Sequence, residues 1–275
     1  MPFIKSEQAG SEPINIYYED LGKGKTIVFI HGWPLSGAMW EYQVTDLTQK
    51  GYRCITYDRR GFGKSDKPFE KYDYNTLAGD LYALLTTLNL SDVTLVGFSM
   101  GGGEVAKYFS LYNGARVIKT VLVSSVLPYM LKTEDNPDGV PQEEMDKMSK
   151  AMIEDRPGFM KGFAKDFFGV SLMHHPVSDA FLANNLTKVM EASPIATMQC
   201  AKSFSSTDFR QDVSKITVPT LIIHGEADKI VPIAATSDNT AKLIGGAEYV
   251  TYEGAPHGLW YTEKERLNQD LIDFI

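Results

Sequence analysis

The chain has 275 residues, enough for one large domain or two small ones, and its 43% hydrophobic and 23% charged residues are the mix of an ordinary globular protein. That composition excludes a disordered chain, and two cysteines exclude a disulfide scaffold. Twenty-seven Lys and Arg against 35 Asp and Glu give a net charge of −8, which speaks against a nucleic-acid or anionic-membrane surface, since both reward positive charge.

Met1–Asp20 carries no apolar core of a secretory signal, and no stretch approaches the ~18–20 continuous apolar residues of a membrane span, so a cytoplasmic location with no membrane partner is expected. Ile14–Glu19 and Thr26–Ile30 are β-rich runs joined by the turn signal Asp20-Leu21-Gly22-Lys23-Gly24. Arg53–Tyr57 is a third such run. Thr76–Leu88 places Leu77, Leu81, Leu84, Leu85 and Leu88 at helical spacing. Val93–Gly97 predicts a strand, Gly101–Leu111 a helix directly behind it, and Val117–Ser124 a strand covered on both faces. Cys54 and Cys200, without CxxC spacing, read as reduced and partly buried thiols. Strands alternating with helices predict a mostly parallel sheet flanked by helices, an α/β class.

From residue 126 to 215 the strand rhythm stops. Glu143–Glu154, Gly158–Phe168 and Asp179–Glu191 read as helices, punctuated by Pro137, Pro141, Pro157, Pro176 and Pro194. Eight of the eleven Met fall here, which suits either a mobile cap lined with adaptable side chains or small helices held onto the main domain. The α/β rhythm then resumes with Thr220–His224, a helix at Ile233–Leu243, a strand at Ala247–Tyr252 and a terminal helix at Glu263–Phe274 with Leu267, Leu271 and Phe274 on one face. The expected organisation is an α/β core of residues 1–125 and 216–275, interrupted by a helical cap of residues 126–215.

The strongest local signal is Gly97-Phe98-Ser99-Met100-Gly101, a G-x-S-x-G sequence between a predicted strand and a predicted helix. Such a sharp turn needs small neighbours and lifts the serine to a helix N-terminus, where backbone N–H groups favour negative charge. A serine hydroxyl needs a base and a group that orients the base. His257, in the loop Gly254-Ala255-Pro256-His257-Gly258, and Asp228, in the loop after Thr220–His224, fill these roles in the chain order Ser99, Asp228, His257. The backbone N–H groups of Met100 and Trp33 are the candidate oxyanion donors, and Trp33, Phe98 and Val231 are the candidate substrate-binding side chains.

Other signals read as decoys. Gly101-Gly102-Gly103-Glu104-Val105-Ala106 fits a dinucleotide fingerprint but lacks the later acid, and Gly24-Lys25-Thr26 lacks the leading glycine of a P-loop. His174-His175 has no further ligands at metal spacing and reads as exposed loop. The charges of Asp58–Ser65 read as bracing their own loop, and His31 and His224 as bonding to loop backbone.

Taken together, His31-Gly32-Trp33-Pro34-Leu35-Ser36-Gly37, Tyr57–Ser65, Val96–Val105, Asp208–Asp212 and Gly254–Leu259 resemble the cofactor-free bacterial haloperoxidases of the α/β-hydrolase superfamily over nearly the whole chain. The resemblance implies an α/β-hydrolase fold with a helical cap. It further implies Ser99, Asp228 and His257 as a triad, Trp33 and Met100 as oxyanion donors, and no metal, haem or other cofactor. The implied activity is cleavage of small aryl or short-chain carboxylic esters through an acyl-enzyme. Peracid formation would accompany it, halide being oxidised by the peracid in solution. A lactone or γ-lactam is the alternative substrate for the same triad, and a non-turnover small-molecule receptor or a cofactor-free oxygenase is the alternative of another class. The expected partners are a small-molecule ester, lactone or peracid and a second copy of the chain in a homo-oligomer, not nucleic acid.

Overall fold

The computed structural model describes residues 2–7 and 12–275. Its sheet has the strands β1 (Phe3–Ser6), β2 (Ile14–Gly22), β3 (Thr26–Ile30), β4 (Arg53–Tyr57), β5 (Val93–Phe98), β6 (Val117–Val123), β7 (Thr220–Gly225) and β8 (Glu248–Tyr252). The spatial order is β1-β2-β4-β3-β5-β6-β7-β8. The β1–β2 and β2–β4 pairings are antiparallel and all others parallel. Every residue of β3, β5 and β7 is buried, so these strands read as continuous apolar runs rather than alternating ones.

The helices are α1 (Glu41–Gln49), α2 (Tyr74–Thr87), α3 (Met100–Tyr112), α4 (Gln142–Phe167), α5 (Asp179–Met190), α6 (Pro194–Ser206), α7 (Arg210–Val213), α8 (Ser237–Leu243), α9 (Leu259–Thr262) and α10 (Lys264–Phe274). Two groups pack separately: α2 against α3, α3 against α7 and α7 against α8; and α1 with α10 and α9. The terminal helix buries Leu267, Leu271 and Phe274, the stripe its spacing predicts. Between β6 and β7 lie α4 to α7, with two isolated bridges, Leu131 to Val140 and Thr133 to Asn136.

Several boundaries differ from the sequence reading, each for a local reason. β1 was not expected, because only two of its four residues are buried. The predicted turn at Asp20–Gly24 is partly strand: β2 runs on to Gly22 because backbone pairing with β4 holds it while its side chains stay exposed. The two helices predicted over 143–168 join into α4 across a break at Asp155 (φ −151°, ψ 83°), whose carboxylate accepts from the Gly158 N–H beyond Pro157. The helix predicted from Ile233 is continuous only from Ser237, since Thr236 leaves helical geometry at φ −116°, ψ −92°.

The thiols are more deeply placed than expected: Cys54 is 1% and Cys200 0% exposed. Burial pushes both thiols up to about 12, far from the thiolate range in which cysteine reacts. Native protein at pH 8 should therefore resist iodoacetamide and take up two labels only after unfolding. Labelling of either cysteine in the folded state contradicts that placement.

Candidate active site

The sharp turn predicted at the strand–helix junction sits between β5 and α3. Ser99 has φ +54° and ψ −118°, left-handed backbone that a non-glycine residue adopts only under constraint. The constraint is visible on both sides. A Cβ on Gly97 would lie 2.8 Å from the Gly101 carbonyl oxygen, and one on Gly101 would lie 2.6 Å from the Ile30 carbonyl oxygen. The Ser99 N–H donates to Val123 O at 2.8 Å, and its carbonyl accepts from Gly102 N–H at 3.1 Å and Val126 N–H at 3.3 Å. The elbow is thus fastened to β6 on one side and to its own helix on the other.

The loops after β7 and β8 bring Asp228 and His257 to this serine. Ser99 Oγ lies 3.0 Å from His257 Nε2, and His257 Nδ1 lies 2.6 Å from Asp228 Oδ2. With Nδ1–H donating to the carboxylate, Nε2 is left to accept the serine proton. His257 is wholly buried, its ring centroid 4.9 Å from that of Phe98 and 4.7 Å from that of Phe167 on α4. Phe98 supports the imidazole and packs on Trp40, and the lining of the cavity at Ser99 does not include it.

Asp228 has every acceptor position used. Oδ1 takes the backbone N–H groups of Ile230 and Val231 at 2.8 and 2.9 Å, and Oδ2 faces His224 Nε2 at 3.2 Å besides His257. His224 in turn meets Ser237 Oγ at 2.6 Å and the Val231 carbonyl at 3.0 Å. Burial alone pushes the Asp228 carboxyl up. The charge of His257 and hydrogen bonds from both histidines outweigh it and hold the carboxyl below the usual range, so it stays ionised. The sequence reading gave His224 only backbone partners; the contact with Asp228 was hidden because the four-residue separation spans a strand end and a turn.

The loop after β3 is held from three directions. His31 Nδ1 meets the Gly32 carbonyl at 2.8 Å, while His31 Nε2 accepts the Arg59 backbone N–H at 2.9 Å. Arg59 Nη2 donates to the His31 carbonyl at 2.6 Å, and the Trp33 indole N–H donates to the Thr197 carbonyl on α6 at 2.9 Å. Burial, with the Arg59 charge beside it, pushes His31 well down, so it is neutral. The Trp33 backbone N–H has no backbone acceptor among the described residues, and the Met100 N–H opens α3, where a helix leaves its first donors without internal partners.

Ser99 opens into a cavity of about 280 Å³. Trp33, Val126, Met130, Val140, Met145, Met148, Phe163, Phe204, Ile230 and Val231 line it, with Glu144 and Lys229 as its charged members. Trp33 and Val231 were expected here; Met130, Met145 and Met148 fit the cap-lining reading of the Met-rich segment, whose alternative was plain packing of small helices, while Val126, Val140, Phe163, Phe204 and Ile230 carried no signal for this wall. His174 and His175 are exposed and are not among the residues that line the cavity. Among the described residues, no group of three or more His, Cys, Asp or Glu is arranged to hold a metal, and no helix is long and apolar enough to cross a membrane.

The fold agrees with known proteins. Residues 25–263 match the profile of the alpha/beta hydrolase fold. The chain is 46% identical to the crystal structure of a bromoperoxidase from Bacillus anthracis, covering 99% of this chain and 98% of that one with a TM-score of 0.94. It is 41% identical to a non-heme chloroperoxidase of Kitasatospora aureofaciens over 95% of this chain and 96% of the relative. It is 37% identical to a bifunctional esterase/perhydrolase of Acinetobacter calcoaceticus, again over 95% and 96%. With such identity over nearly full length, the chain belongs to the α/β-hydrolase superfamily and, within it, to the non-haem haloperoxidase and esterase family.

Proposed function

We propose that this esterase-type hydrolase cleaves small carboxylic esters by acyl transfer through Ser99, with water or hydrogen peroxide as the acceptor. One observation carries the reading: the run from Asp228 Oδ2 to His257 at 2.6 Å and on to Ser99 Oγ at 3.0 Å ends inside an apolar cavity sized for a small acyl group. Ser99 Oγ attacks the ester carbonyl while His257 Nε2 takes its proton, and ionised Asp228 stabilises the imidazolium. The backbone N–H groups of Trp33 and Met100 receive the oxyanion, where each donor contributes about 2.7–4 kcal/mol. His257 returns the proton to the leaving alcohol. It then activates the acceptor, which releases the acid or, from peroxide, the peracid. The esterase/perhydrolase relative supports both acceptors.

The acyl group rests against the Met-rich wall. At about 280 Å³ the cavity falls just below the roughly 300–1,000 Å³ of drug-sized sites, which favours short acyl chains. A panel of p-nitrophenyl esters of increasing acyl length, lactones, a γ-lactam, and acetate with peroxide tests this. The expected result is turnover of short esters, a fall in kcat/KM once the acyl chain outgrows the cavity, and peracid from acetate and peroxide. Lactones outpacing esters by about 100-fold, nearly 3 kcal/mol in the transition state, would make the enzyme a lactonase. Acylation without turnover would make it a receptor.

A further inference from the structure

Three thioethers, those of Met130, Met145 and Met148, line the same cavity as Ser99. Met130 and Met145 are only 2% and 7% exposed, so the cavity is their main opening. Met145 and Met148 are three residues apart on α4, which sets both side chains on one face of the helix. Met173, by contrast, is 97% exposed. An oxidant arriving from bulk solution therefore meets Met173 first, and an oxidant made on Ser99 meets the cavity methionines first.

We infer that Met130, Met145 and Met148 are sites of turnover-driven sulfoxidation that limit the enzyme's life as a perhydrolase. The inference rests on the perhydrolase half of the function proposed above. Hydrogen peroxide attacks the acyl-enzyme, the Ser99 ester bond breaks, and peracid is released into the cavity with Ser99 returned as the hydroxyl. A methionine sulfur then attacks the terminal peroxy oxygen. The O–O bond breaks, an S–O bond forms, and the peroxy proton leaves with the carboxylic acid. Sulfur loses two electrons and the peroxide oxygens gain them, so no further reactant is needed. A single peracid molecule within about 280 Å³ is at an effective concentration on the order of several molar until it leaves, far above what the same turnover supplies to Met173 in bulk solution. Carboxylate is a better leaving group than hydroxide, so the nascent peracid outpaces peroxide itself at the same sulfur.

Sulfoxide formation turns a soft apolar side chain into a polar, chiral one. The wall that receives the acyl chain then disfavours it, and kcat/KM for apolar esters declines as perhydrolysis proceeds. Hydrolysis by water makes no oxidant and leaves the wall intact. One site thus has two acceptors, and only one of them consumes the pocket.

Peptide mass spectrometry tests this on enzyme incubated with acetate and peroxide, peroxide alone, or added peracetic acid, with peracid measured in parallel by bromide oxidation. Under acetate and peroxide, oxidation at Met130, Met145 and Met148 should run at least about tenfold faster, relative to Met173, than under either single oxidant. In Ser99→Ala that excess should vanish. The double variant Met145→Leu, Met148→Leu should lose its own starting ester activity more slowly during perhydrolysis. Peracid accumulating while the three methionines stay reduced, or the same tenfold excess oxidation persisting in Ser99→Ala, overturns the inference and leaves perhydrolysis by the unsubstituted enzyme standing. Failure to form any peracid overturns the perhydrolase reading, and the inference with it.

Discussion

Ser99→Ala should abolish labelling by a fluorophosphonate probe and lower ester kcat by about 10⁶-fold, with His257→Ala close behind and the double variant little worse than either. The effects do not add because nucleophile and base act as one unit: without the proton acceptor at 3.0 Å the hydroxyl is a poor nucleophile, and without the hydroxyl the imidazole has nothing to activate. Asp228→Asn should cost less, about 10⁴-fold, since it keeps the contacts but favours the wrong imidazole tautomer. Residual rates are then those expected from the proposed Trp33 and Met100 donors and from cavity binding. The reporting measurements are probe labelling, p-nitrophenyl acetate turnover, and circular dichroism to show that each variant is folded. Labelling that survives in Ser99→Ala sinks the nucleophile assignment. A loss below about tenfold in His257→Ala sinks the base.

The elbow was readable because its chemistry and its backbone constraint share one stretch of five residues. Gly97 and Gly101 announce contacts that no side chain fits, and the flanking apolar run and helical spacing say which elements meet there. Asp228 and His257 were readable because each sits in a loop directly after a late strand, and parallel strands deliver such loops to one edge of the sheet. What stayed hidden depends on contacts between distant segments. The sequence left the Met-rich segment between a cap lining and plain packing, because Met145 and Met148 have the spacing of any amphipathic helix; only the approach of α4 to the Ser99 edge makes them a pocket wall. Phe98 lies inside the motif, but that its ring packs 4.9 Å from that of His257, on a loop 159 residues later, is a contact no local pattern shows. Glu104 was read as one letter of a rejected nucleotide motif. Its partner Arg59 is 45 residues away on another loop, and no local pattern connects them.

That pair leads to the largest expected change in stability. Glu104 is 0% and Arg59 1% exposed; Glu104 Oε1 accepts from Arg59 Nε at 2.5 Å, and Oε2 accepts from the Tyr57 hydroxyl at 2.6 Å. Burial pushes the Glu104 carboxyl up, and Arg59 and Tyr57 pull it back, so much of the attraction is spent offsetting desolvation. Intact, such a pair adds little net stability; broken, it strands a charge in the core. Glu104→Ala should cost about 3–5 kcal/mol and lower Tm by about 10 °C. A change under about 2 °C contradicts the buried pairing. Removing both charges separates the two tasks of Arg59. The triple variant Glu104→Leu, Arg59→Met, Tyr57→Phe leaves neither a stranded ion nor the Tyr57 hydroxyl without its acceptor and should recover most of the lost Tm. It should not recover turnover, because Arg59 Nη2 also holds the His31 carbonyl at 2.6 Å, one residue before Gly32 and two before Trp33, the proposed oxyanion donor. Stability restored with kcat still depressed, at unchanged KM, is the expected signature of a buried ion pair kept for the geometry of the oxyanion loop. If kcat returns together with Tm, the loop is positioned without Arg59.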